Sequence, residues 1–162
     1  MWHDFDTNEI SLFVINALAY ATVLWLPKKL SSQTQAIGFL WGLATGILFD
    51  FTIGGGLIDF YQVNDSNRYE GMDVLYYTLF APFGYFFFYF FETLNVRKTG
   101  ILLYVLAWAL VGVAAQWLFT ALDIVKLQRG YTLAYSFPVF LFTQTVTAMY
   151  YMNLRKRNRA AA

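Results

Sequence analysis

Five stretches of this 162-residue chain are long, apolar and nearly free of charge: 10–26, 35–53, 74–91, 101–122 and 131–152. A helix needs about 20 predominantly apolar residues to cross about 30 Å of hydrocarbon. Inside a bilayer the backbone must satisfy its own polar groups, and a helix does so within one segment. The sequence therefore predicts an all-α, polytopic bundle of five transmembrane helices. A leader at 1–9 precedes a membrane domain at 10–153, and a basic tail follows at 154–162. Charged residues make up 13% of the chain, about half the share usual in soluble domains. Each connection is too short to fold as a separate domain.

The leader holds Asp4, Asp6 and Glu9 and no Lys or Arg. A secretory signal needs a positive start, so the first span reads as an uncleaved anchor. Its exit is marked by Pro27-Lys28-Lys29, where proline stops helix continuation and the lysines prefer water. Counted alternately, the loops give one side Lys28, Lys29, Arg97, Lys98, Arg155, Lys156, Arg157 and Arg159, and the other Arg68, Lys126 and Arg129. Basic residues accumulate on the cytoplasmic side, so the N-terminus is expected outside and the C-terminus inside.

In the second span Gly38, Gly42 and Gly46 recur every four residues, and Asp50 follows at the same interval. Four-residue steps drift by about 40° on a helix, so the four positions share one stripe. Small residues at that spacing let two membrane helices approach closely. The partner is either another helix of this chain or a second copy. Asp50 lies roughly 22 Å along the span, toward its outer end. It is expected as a cation or proton site, or as a helix-end carboxylate bonded to a neighbouring helix or to the following loop.

The connection after the second span opens with Gly54-Gly55-Gly56 and holds an outer acidic group, Asp59, Asp65, Glu70 and Asp73. Its Leu57–Val63 segment is expected as a short helix or turn at headgroup level. The acidic spacing does not match a calcium-binding loop, and a solvated acidic face is the simpler expectation. In the third span eight of the nine residues 83–91 are aromatic, Gly84 being the exception, and Pro82 stands just before them. That proline frees the carbonyl of Thr78. The dense rings suit lipid contact and helix packing, or a ligand cage. The fourth span carries Gln116; the fifth carries Ser136, Thr143, Gln144 and Thr147. Buried amides in membrane helices usually bond across to another helix. A solute path would instead need Gln116 and Gln144 to converge with Asn16 and Asp50.

Cysteine is absent and His3 is the only histidine. Thiolate chemistry, a histidine-based triad and a multi-histidine metal site are therefore excluded within one chain. The glycine triplet lacks the downstream Gly-Lys-Ser/Thr of a phosphate loop. No catalytic residue, metal, cofactor or nucleic-acid partner is expected, and the basic tail reads as an anchor to anionic lipid.

Five marks recur in a fixed order: Pro27-Lys28, Gly46 with Asp50, Gly71-Met72-Asp73, Pro82 and Tyr135-Ser136. In that order the chain resembles a family of small five-helix membrane proteins of endospore-forming Gram-positive bacteria, a family without an assigned activity. The resemblance implies a bacterial cytoplasmic membrane. The expected function is non-enzymatic, an interaction subunit or assembly factor that binds itself or another membrane protein through helix packing. The alternative is a small channel or solute carrier built on Asp50, Gln116 and Gln144, and an intramembrane enzyme is the third reading.

Overall fold

The computed structural model describes residues 7–54, 57–63 and 71–160. Five helices follow in order: α1 (Thr7–Trp25), α2 (Ser32–Ile53), α3 (Gly71–Thr93), α4 (Thr99–Ala121) and α5 (Leu133–Ala160). Their starts and stops follow local chemistry. Ser31 is extended and accepts from the Thr34 amide at 3.2 Å, capping α2, one of the residue types that best satisfy the free amides of a first turn. The helices α3 and α4 end without glycine. Asn95 (φ 51°) and Asp123 (φ 55°) take the left-handed position instead, and the following amides of Val96 and Ile124 bond back to Phe91 and Phe119. This is the 6→1 closure of a helix C-terminus.

Four helices, α1 to α4, are long and apolar enough to cross a membrane. The fifth is the longest at 28 residues, but Ser136, Thr143, Gln144, Thr145 and Thr147 interrupt its apolar run, and it falls outside that group. It also continues through the basic residues, so the stretch expected as a separate tail is helical as far as Ala160. Within the membrane-length window 56% of α3 is buried, against 17% for each of α1, α2 and α4. The aromatic helix is therefore the hub, and its neighbours turn large apolar side chains such as Leu18, Leu40 and Leu102 outward.

The closest packing is α2 on α3, followed by α4 on α5 and α1 on α3. At the α2–α3 crossing Gly42 lies directly against Gly84. A Cβ on Gly42 would strike the Phe80 carbonyl oxygen and stand 2.8 Å from the Gly84 nitrogen; one on Gly84 would stand 2.6 Å from Gly42 Cα. The glycine stripe is thus used inside the chain, and its counterpart is the one small residue of the aromatic block.

Helix α1 is held to α3 by polar groups. Asn16 donates to the carbonyls of Leu12 and Leu75, at 3.0 and 3.1 Å, and Thr78 Oγ1 donates to Asn16 Oδ1 at 3.3 Å. The Thr78 carbonyl released by Pro82 accepts from the Tyr20 hydroxyl at 2.9 Å. The two helix hairpins, α2–α3 and α4–α5, meet through large rings rather than backbones. Phe88 stacks on Tyr151 with centroids 4.2 Å apart, Trp41 on Tyr150 at 4.0 Å, and Tyr104 donates to the Phe87 carbonyl at 2.6 Å. Glu92 closes this end by accepting from Arg155 at 2.9 Å and Tyr151 at 3.0 Å.

At the other end the segment expected as an interfacial helix or turn makes a turn at Leu57 and Ile58 and then a strand, β1 (Tyr61–Val63), antiparallel to β2 (Val125–Leu127). The pair joins the α2–α3 connection to the α4–α5 connection, and a latch of Arg129 on Asp59 at 2.7 Å lies beside it.

Gly42→Ala and Gly84→Ala should each lower the melting temperature in detergent, by the equivalent of about 1–3 kcal/mol for an overpacked contact. Gly100→Ala is the control, because its Cβ would meet only Val96 at 4.0 Å. Equal melting temperatures for all three would show that the crossing can open without cost.

Candidate functional site

Rings hold the two hairpins apart more than glycines would, and between them lies a cavity of about 160 Å³. All four helices contribute. Gly46 and Phe49 come from α2, Phe80 and Phe83 from α3, Trp108 and Gln116 from α4, and Phe140 and Gln144 from α5. Glycines shape the walls as well as the crossing. Phe80 lies over Gly46 and Phe140 over Gly112, whose Cβ would stand 2.7 Å from that ring. Tyr61, Val125 and Tyr131 close the ribbon end. Tyr131 is fixed there by Phe60, stacked at 5.0 Å, and by the Ser136 hydroxyl, 3.0 Å away.

The polar groups of the cavity differ in what they already hold. Thr143 Oγ1 donates back to the Val139 carbonyl at 2.8 Å, and Ser136 is engaged with Tyr131. Gln116 and Gln144 both line the cavity, and neither side-chain amide is hydrogen-bonded among the described residues. Counted from the helix starts, Gln116 lies about 26 Å along α4 and Gln144 about 17 Å along α5. Gln116 thus stands near the ribbon end of its helix and Gln144 nearer the middle of its own. Among the described residues no charged side chain lines the cavity.

Asp50 stands behind the wall instead of on it. It is 3% exposed, and Tyr77 of α3 donates to Oδ2 at 2.6 Å. Its other oxygen, Oδ1, has no partner within hydrogen-bonding geometry among the described residues. It lies beside Gly54, where a Cβ would stand 2.8 Å from Oδ1 and 2.7 Å from the Tyr61 ring. Tyr61 thus separates the carboxylate from the cavity. Burial, then the neighbouring Tyr76 and Asp50, hold its phenol well above the ordinary value, so this part of the wall stays neutral.

The other residues singled out by the sequence are scattered. Asn16 serves the α1–α3 contact, away from the glutamines. Asp59 faces Arg129. Asp73 is no part of a solvated loop: it is 6% exposed in the first turn of α3, where a helix N-terminus favours a negative charge. Asp65 and Glu70 lie outside the described residues. The outer acidic face is therefore divided, and among the described residues no group of acidic side chains is arranged to hold a metal. Sequence reasoning missed Gly112, Phe140, Tyr61 and Tyr77, because a ring over a glycine or a phenol on a carboxylate leaves no local pattern. No protein-family model, curated protein or solved structure matches the chain.

Tyr77→Phe should destabilise the protein by about 1–3 kcal/mol, the cost of leaving a buried acceptor without its donor. Adding Asp50→Asn to that variant should recover part of the loss, since a neutral amide is less costly to bury than a carboxylate. Thermal unfolding of the two single variants and the double variant measures the coupling. Additive effects would mean that the two side chains do not act as a pair.

Proposed function

We propose that this protein is a five-span membrane protein, N-terminus outside, that binds a small and largely apolar molecule inside its bundle. The observation that carries the reading is the pair of glutamine amides, Gln116 and Gln144, which face one cavity and have no protein partner. A polar group buried without a partner costs free energy, and an amide in a membrane helix ordinarily finds one across the interface. Two half-buried amides without a protein partner on one largely apolar chamber favour a receptor for something that brings its own hydrogen-bonding atom. The volume supports a small occupant, because a cavity of about 150 Å³ lined by apolar side chains binds benzene.

This reading develops the solute-binding alternative on Gln116 and Gln144 and leaves Asp50 to structure. The interaction-subunit reading loses its main support, since the glycine stripe that would serve a partner is occupied by α3. Support for a fifth span comes from the direction of the polar face of α5. Thr147 accepts from Trp41 at 3.0 Å, and Thr143 and Gln144 face the cavity. A helix whose polar groups turn inward can present apolar side chains such as Phe142, 66% exposed, to lipid. The eight-to-three division of basic residues favours the ribbon outside and the Glu92–Arg155 end in the cytoplasm. The order of motifs that resembles a bacterial membrane family supports a cytoplasmic membrane as the location.

Two experiments test this. Single cysteines at Ser66 and Asn158 should label from outside the cell and only after permeabilisation, respectively; external labelling of both would remove the five-span topology. In lipid nanodiscs, fluorobenzene should show saturable binding by ¹⁹F NMR beyond that of protein-free discs. Ala115→Phe, which fills the cavity, should abolish it while the melting temperature holds. Non-saturable wild-type signal from fluorobenzene and from its 4-hydroxy and 4-carboxylate analogues alike would overturn the binding reading.

A further inference from the structure

The cavity also limits the chemistry of its occupant. We infer that it selects an uncharged, single-ring molecule carrying one hydroxyl or carbonyl group, bound with its ring among Phe80, Trp108 and Phe140 and its polar atom on Gln116 or Gln144. The inference rests on the binding reading above and deepens it by naming the ligand class.

Size comes first. About 160 Å³ is near the volume that takes one benzene ring and well below the 300–1,000 Å³ of pockets for drug-sized ligands. Shape follows from the walls. Phe80 and Phe140 are seated over Gly46 and Gly112, so neither ring can drop back toward its neighbouring helix, and aromatic faces favour a ring edge or an offset stack.

Charge is excluded by what the wall lacks and by what it screens. Among the described residues no Asp, Glu, Lys or Arg lines the cavity, so an ion entering it would give up its hydration without a counter-charge. The buried carboxylate Asp50 is engaged by Tyr77 and stands behind Tyr61.

The polar requirement follows from the hydrogen-bond inventory. Ser136 and Thr143 are already engaged, whereas the amides of Gln116 and Gln144 are not. A carboxamide offers both an acceptor oxygen and two donor hydrogens, so it serves a hydroxyl or a carbonyl equally. A ring without a polar atom would leave both amides unpaired. Such a ring still fills the cavity but binds more weakly by about the worth of one hydrogen bond.

The test uses three fluorinated rings of nearly equal size in nanodiscs, read by ¹⁹F NMR against protein-free discs: fluorobenzene, 4-fluorophenol and 4-fluorobenzoate. Wild type should bind 4-fluorophenol about tenfold more tightly than fluorobenzene, one hydrogen bond at about 1.4 kcal/mol per decade. It should not bind 4-fluorobenzoate. The variant Gln116→Leu with Gln144→Leu should bring 4-fluorophenol down to the level of fluorobenzene while leaving fluorobenzene binding intact, which reports an intact cavity. If the double variant loses fluorobenzene as well, the single variants carry the test, and at least one should narrow the preference. Equal wild-type affinity for fluorobenzene and 4-fluorophenol would overturn the ligand class while leaving the binding reading in place. Saturable binding of 4-fluorobenzoate would overturn the exclusion of charge. Failure of all three rings to bind would instead remove the binding reading itself.

Discussion

The close crossing of Gly42 on Gly84 is the contact that the rest of this architecture depends on. In lipid there is no hydrophobic drive between helices, so van der Waals contact must supply the attraction, and it falls off steeply with a gap of even half an ångström. Two glycines let the backbones of α2 and α3 touch. That contact sets the spacing of the hairpin and positions the aromatic helix, with Phe87, Phe88 and Phe91 almost fully buried. Those rings then receive Tyr104 of α4 and Tyr151 of α5. Helix α1 is added by different means, the Asn16 and Tyr20 hydrogen bonds to α3.

The contrast between the two kinds of interface accounts for the cavity. Within the α2–α3 hairpin the spacing is set by backbones; between the hairpins it is set by rings. The rings pack closely at the basic end, where the Phe88–Tyr151 and Trp41–Tyr150 stacks lie. Toward the ribbon, Gly46 and Gly112 remove side chains from two of the four walls. A chamber remains that Phe80 and Phe140 line without filling. The same divergence leaves Gln116 and Gln144 without a helix to bond to, so the space and its unpaired polarity have one origin.

Much of the frame was legible in the sequence because hydrophobic length and small-residue spacing act locally. The four-residue glycine repeat named the face of α2 that contacts another helix. Pro82 identified a carbonyl, that of Thr78, whose hydrogen bond had to come from elsewhere. Its donor, Tyr20, lies 58 residues away in the chain, a separation no periodicity encodes. Asp73 was misread for a related reason: beside a loop rich in acidic residues it looks solvated, and only the docking of α3 buries it. In Leu57–Val63 a turn is present at Leu57 and Ile58, but the strand at Tyr61–Val63 was not foreseen, because a three-residue strand has no signature of its own and exists through its pairing with Val125–Leu127.

By itself the sequence determined that the chain forms long apolar helices, because about 20 uncharged residues in hydrocarbon leave the backbone no other economical way to satisfy its polar groups. It determined the glycine face for a similar reason: helical period is arithmetic along one dimension. Only the tertiary structure decided which glycine answers Gly42, which polar residues share a chamber, and that Asp50 stands behind its wall while Gln116 and Gln144 stand on it. Those are distances between residues far apart in the chain. They are set by how rings of particular size seat against one another once the helices are packed, and no local pattern carries that information.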